Sequence, residues 1–245
     1  MSETGHAKNV ANLDELISYA TGWGTAFNPT KASLMLTALQ ALSKSGQDAI
    51  NAVNAAIPAY TNSVAAREAA FAPLNKLVTR AVNALKATDT TIQVDESAKT
   101  FSRKIQGRRA TPKMTEEEKK AASAAGKEVV EISSSQMSFD SRLDNFDKLI
   151  KLLSSITLYA PNEADLQVAS LTTLYNDLKV KNNVVITAAT ILSNSRILRN
   201  EILYKINTGL VDIALDTKTY VKSLYGATSP QYRQVAGLEF HAVRT

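Results

Sequence analysis

His6 and His241 are the only histidines in a chain of 245 residues that contains no cysteine. Zinc chemistry requires several His, Cys or carboxylate ligands that converge. No Glu-x-x-His or His-Glu-x-x-His motif accompanies either histidine, and each stands in a terminal tail. A body without histidine argues against a Ser-His-Asp relay as well. The missing cysteines remove thiol nucleophiles, disulfides and Cys-ligated zinc. Gly22-Trp23-Gly24 lacks the third glycine and the preceding strand of a phosphate-binding loop. Asp and Glu fall mostly on polar faces or at caps, so paired-carboxylate catalysis has no support. These residues predict a protein that is not an enzyme and uses no cofactor or metal.

The strongest charge cluster is Lys99, Arg103, Lys104, Arg108, Arg109 and Lys113, with no acidic residue between Glu96 and Glu116. Such a run could hold phosphates and give salt-sensitive, sequence-independent binding of an anion or nucleic acid. A solvated connector fits better. Glu116, Glu117 and Glu118 offset the charge, the second half of the chain keeps little of it, and no aromatic residues interleave for base stacking. The net charge of +5 is dilute over this length and matters only if clustered.

Ala49 to Ala66 carries no formal charge and could suit a membrane-active helix. Asn51, Asn54, Asn62 and Pro58 argue instead for a small-residue helix interface. No run is long and apolar enough to span a bilayer. Met1 to His6 has no basic region leading into an apolar stretch, so the expectation is a soluble, cytoplasmic or similarly placed protein without a cleaved signal.

The elements that position these residues come from a repeat. Asn145-Phe146-Asp147-Lys148-Leu149-Ile150 restates Asn12-Leu13-Asp14-Glu15-Leu16-Ile17, and an offset of roughly 132 to 133 residues keeps pairing like with like downstream. Phe27-Asn28-Pro29 meets Tyr159-Ala160-Pro161, and Leu34, Leu39 and Leu42 meet Leu166, Leu171 and Leu174. Polar residues recur too: Asn51 with Asn183, Asn62 with Asn194, Arg67 with Arg199, and Asn75 with Asn207. Amphipathic periodicity alone does not repeat polar pairs at one offset. These recurring groups could line a pocket, but fixing helix register or capping turns explains them more simply.

Composition favours helix throughout, with 44% hydrophobic residues, nine Gly and six Pro. A first helix is expected over Asn12 to Thr25, with Val10, Leu13, Leu16, Ile17 and Ala20 on one stripe. Asn28 before Pro29 reads as a helix start, Ser43 to Gly46 as a soft interruption, and Pro58 as a kink or end. Turns are expected near Asn62-Ser63 and Asn194-Ser195, although the spacing also permits one long helix. A short helix should cover Val94 to Gln106 and stop at Gly107.

A capped helix start at Thr115 to Lys120 leads a linker helix to Ile132, broken by Ser133 to Ser135. In the second half the stripe Leu143, Phe146, Leu149, Ile150 and Leu153 marks a helix over Ser138 to Leu158. Asn162 to Asp165 resembles a capping box. The richest core is expected along Val184 to Leu198 and Ile202 to Leu224, a short helix over Ser229 to Val235, and an extended tail docked by Phe240.

The expected fold is all-α: an internally duplicated helical bundle, two four-helix units related by a pseudo-twofold and joined by a helical linker. The divisions are residues 1–107, a polar and helical linker 108–137, and 138–245 with the C-terminal tail. The function this implies is structural or interactive, with self-association through helical faces and tails. The partner is then the chain itself or another protein. Anion or nucleic-acid binding through Lys99 to Lys113 is the alternative, ahead of membrane activity.

Overall fold

The computed structural model describes residues 4–108, 115, 117, 120, 121, 124 and 138–242, and among these the chain is mostly helical with no strand. Helix α1 spans Thr4–Gly22. Two 3-10 turns, Gly24–Ala26 and Ala32–Leu34, lead into the long helix α2, Leu36–Phe71. Helices α3, Leu74–Lys86, and α4, Ile92–Gln106, follow. The second half contains α5, Phe139–Ser154, a 3-10 turn at Ala164–Leu166, and the long helix α6, Val168–Tyr204. Helices α7, Leu210–Tyr225, and α8, Pro230–Ala236, complete it. The linker helix expected between Thr115 and Ile132, and the break at Ser133 to Ser135, lie outside the described residues apart from isolated positions.

The residues form two compact units: Met1–Thr61 with Ala188–Thr245, and Asn62–Thr187. These units cut across the sequence divisions at 107 and 138, because each takes helices from both halves of the chain. In the first unit, Val10, Leu13, Leu16, Ile17 and Ala20 of α1 share a core with Leu210, Val211, Ile213, Ala214 and Val221 of α7 and Val235 of α8. In the second, Leu143, Phe146, Leu149, Ile150 and Leu153 of α5 share a core with Leu74, Val78 and Leu85 of α3 and Ala98 and Ile105 of α4. The stripes read from the periodicity are therefore the buried stripes, but each closes on helices from the other half. Full burial of one such leucine or isoleucine is worth about 1.5–3 kcal/mol.

Several expected boundaries shift. Helix α1 starts at Thr4, so His6 and Asn9 lie on it rather than in a tail. No helix starts at Pro29. Phe27 and Leu34 are both drawn into the core, and the chain between them turns a corner through the 3-10 turn Ala32–Leu34. The capping box expected at Asn162 to Asp165 is absent for the same reason. Tyr159 and Leu166 anchor an equivalent corner, and Glu163 makes no side-chain cap.

No turn occurs at Asn62-Ser63 or Asn194-Ser195, where α2 and α6 run straight through. Pro58 lies inside α2 without ending it. It and Asn54 are exposed, so water can take the carbonyl whose helical bond proline removes. The expected interruption at Ser43 to Gly46 is likewise helical, and Gly46 lies there against core side chains. A Cβ on it would stand 3.1 Å from side-chain carbons of both Leu210 and Val10.

The richest core does not lie along Val184 to Leu198. Val185, Ala188 and Leu192 are buried, whereas Val184, Ile186, Ile191, Ile197 and Leu198 are about half exposed or more, from 49% to 62%. One buried stripe occupies only part of a helix circumference. Apolar residues all round α6 therefore leave a second apolar face outside it.

Candidate functional site

The basic segment ends α4. Arg103 and Lys104 fall in the last helical turn, where cations complement the exposed carbonyls and the negative end of the helix dipole. Gly107 takes a left-handed conformation, φ 67°, and the Arg108 amide donates to the Arg103 carbonyl at 2.9 Å. Lys99 pairs with Glu96 at 3.0 Å and holds that carboxylate below the usual range. Arg103 donates to the Thr100 hydroxyl at 3.0 Å. Lys104 and Arg108 are exposed. Arg109 and Lys113 lie outside the described residues. The cluster thus contains residues with local roles in helix termination, at a helix end whose dipole disfavours an anion.

The recurring polar pairs divide by burial. Asn51, Asn62, Asn183 and Asn194 are all exposed on their helices and line no interior. Asn75 is exposed and accepts from Arg142 at 3.1 Å, whereas Asn207 adopts φ 64° in the turn before α7. The turn role expected of asparagine fits Asn207.

Arg67 and Arg199 turn inward. In the second unit Arg67 Nη1 donates to Asn182 Oδ1 at 3.0 Å, and Asn182 Nδ2 donates to Asp140 Oδ1 at 2.8 Å. The guanidinium carbon stands 3.9 Å from the centroid of Phe139, itself edge-on to Phe71. In the first unit Arg199 is buried and donates to Asn200 Oδ1 at 2.9 Å.

The two histidines differ. His6 is buried, with Nδ1 2.6 Å from the Tyr204 hydroxyl, while the His241 ring is exposed beside Glu239. Among the described residues no group of three or more His, Cys, Asp or Glu could hold a metal ion.

The most organised polar arrangement was not singled out by sequence reading. The segment after α8 lies along the first unit with Leu238 and Phe240 in the core and Glu239 and His241 outward. Its main chain is bonded by side chains. Lys218 Nζ donates to the carbonyls of Ala236 at 3.0 Å and Leu238 at 2.6 Å. Asn12 Nδ2 donates to the Glu239 carbonyl at 2.7 Å. Asn9 takes the His241 peptide at both ends, donating to its carbonyl at 2.8 Å and accepting from its amide at 3.0 Å. Burial holds the Lys218 ammonium below its ordinary pKa, and nearby Glu239 partly offsets this. Asn9 carried no signal because an asparagine on a helical stripe resembles any surface asparagine. Its opposing terminal residues lie far away in sequence.

No protein-family model matches the chain, and neither a curated protein nor a solved structure matches it. No helix among the described residues is long and apolar enough to cross a membrane.

Proposed function

We propose that this chain is a non-enzymatic structural or interaction protein, an internal duplication of a four-helix repeat that associates with further copies of itself through its helical faces and terminal segments. The order of elements supports the duplication. Helix, 3-10 corner, long helix and two shorter helices occur in the same sequence in each half. The corners Ala32–Leu34 and Ala164–Leu166 stand at the offset read from the residues, with Phe27 and Tyr159 as matched buried aromatics.

The observation that carries the self-association reading is the apolar face of α6. Val184, Ile191 and Leu198 recur every seven residues and are 49%, 54% and 52% exposed. Residues 182–195 carry no formal charge. A lone exposed leucine is ordinary, whereas a run of large aliphatic side chains on one helix face is the pattern of a protein contact.

Light scattering and sedimentation over a wide concentration range test this reading. Association is expected to be reversible, and Ile191→Asp with Leu198→Asp is expected to weaken it by about tenfold or more, as charges in a packed contact do. A monodisperse monomer at every concentration overturns it.

A further inference from the structure

The clasp around Leu238 to His241 has the properties of a peptide-binding groove already filled by its own ligand. Recognition is of two kinds. Three side chains, Asn9, Asn12 and Lys218, read main-chain groups of a run from Ala236 to His241. Two apolar side chains at alternate positions, Leu238 and Phe240, enter the core. Alternation of this kind is how an extended peptide combines main-chain affinity with side-chain selectivity. No helix holds the segment, which is coil beyond α8. At Gly237 a Cβ would meet nothing within 4 Å, so no packing wedges the joint.

We propose that this groove is exchangeable, and that the occupant which replaces the cis segment is the same Leu238 to His241 segment from a second copy of the chain. The inference rests on the self-association reading and gives it a second contact, distinct from the face of α6. A second copy is the partner because each copy already carries both the groove and the one segment that fits it. Exchange preserves both buried side chains and the bonds from Asn9, Asn12 and Lys218 to residues 238–241, giving up the bond of the Leu238 amide to the Val235 carbonyl, and reciprocal exchange closes a twofold dimer. The cost is competition with the tethered segment, whose local concentration is about millimolar. The exchanged form is therefore minor in dilute wild-type protein and favoured wherever copies are concentrated or the cis contact is weakened.

Two complementary variants of the full chain test this. Leu238→Ala with Phe240→Ala weakens the segment and leaves the groove intact. Asn9→Ala with Asn12→Ala weakens the groove and leaves the segment intact. Each alone is expected to be monomeric at micromolar concentration, and their mixture to form a complex of one to one. No complex from two variants with native circular dichroism overturns the proposal. If either variant fails to fold, hydrogen exchange on the wild-type chain decides. The His241 amide, bonded to Asn9, is expected to exchange at least about a hundredfold faster than core amides of α1 and α7, because the segment releases without unfolding. Equal rates overturn the proposal. Self-association at high concentration that Leu238→Ala with Phe240→Ala leaves unchanged in strength overturns the exchange alone and leaves the α6 face as the contact. A wild-type chain that stays monomeric up to millimolar concentration overturns both.

Discussion

Arg80 of α3 grips Asp165 in the corner before α6, with both guanidinium amino groups on the two carboxylate oxygens. In the first unit Lys31, in the corner before α2, meets Asp216 of α7 at 2.5 Å. The same kind of tie therefore recurs with its charges reversed. Each links a corner from one half of the chain to a helix from the other. The Arg80 side chain, by hydrogen bond and by charge, holds the Asp165 carboxyl below its ordinary pKa. Because the folded-state value is depressed, the stability this carboxylate contributes is present above the unfolded-state pKa. It is lost as pH falls through the folded one. Carboxyl NMR titration is expected to place Asp165 below the ordinary aspartate value, and Arg80→Met to return it toward that value. Both groups are solvent-exposed, so little of the shift becomes stability.

Tyr159 gives the opposite limb of the pH profile. Its hydroxyl donates to the Leu166 carbonyl at 2.8 Å within the core, and burial pushes its pKa up to about 12. A phenol raised in the folded state contributes stability below pH 10 that is lost as pH rises toward 12. Spectroscopic titration of phenolate should contain a late step that Tyr159→Phe removes, and unfolding should accompany it. At neutral pH Tyr159→Phe removes one buried hydrogen bond, an expected loss of about 1 kcal/mol by denaturant melts. The first half has phenylalanine at the matched corner, Phe27, which shows that the ring fills the site without the hydroxyl.

Two glycines separate backbone crowding from side-chain packing. A Cβ on Gly209 would sit 2.6 Å from the Lys205 backbone nitrogen and 2.7 Å from its oxygen, atoms that cannot rotate away. Gly209→Ala is expected to cost about 2 kcal/mol or more, the upper part of the usual overpacking range. Around Gly46 the nearest atoms are side-chain methyls of Leu210 and Val10 at 3.1 Å, which can yield by tenths of an ångström. There the gain in helix propensity, about 1 kcal/mol, opposes the crowding. Thermal melts should rank Gly209→Ala far below wild type and Gly46→Ala close to it.

The readable parts of this fold were those with a local cause. The stripe Val10, Leu13, Leu16, Ile17 and Ala20 and its counterpart in α5 are buried because helical spacing aligns them. Gly107, which lacks a Cβ, takes the left-handed conformation that ends α4, and the Ser229 hydroxyl caps the start of α8. What could not be read was long-range closure. Periodicity says that α1 has an apolar face, but not that the face meets α7 rather than α3. Nor does it separate the buried Val185 and Leu192 from the exposed Val184 and Ile191 when both faces of α6 are apolar. Pro58 misled because a proline on a solvent face leaves its lost bond to water. The clasp by Asn9 depends on residues at opposite ends of the sequence, where no motif spacing applies.

The basic segment yields a prediction through its helix end. Arg103 and Lys104 complement the carbonyl end of α4, and Lys99 is paired with Glu96. Exposed Lys104 and Arg108 remain as the described cations best placed for a phosphate. A polyanion contact of so few charges should be weak and steeply screened by salt. Filter binding with mixed-sequence DNA is expected to show little retention in dilute buffer and none at physiological salt. Strong retention that is lost on neutralising Arg103, Lys104 and Arg108 would promote nucleic acid to the leading partner.

The chain from Arg67 through Asn182 to Asp140 is the second unit's most exacting polar arrangement. Asn182 is 2% exposed and acts at once as acceptor for the arginine and donor to the aspartate. The buried Nε of Arg67 already has no hydrogen-bond partner, so its charge is satisfied by Asn182 on one side and the Phe139 face on the other. Asn182→Leu keeps the volume roughly constant but strands the guanidinium against an apolar wall. A buried donor left without its acceptor costs about 1–3 kcal/mol, whereas removing both partners is cheaper. Denaturant unfolding should therefore rank Arg67→Met with Asn182→Leu above Asn182→Leu alone. The double variant falling to the sum of the single losses would mean that the two residues act independently and that the contact does not couple them.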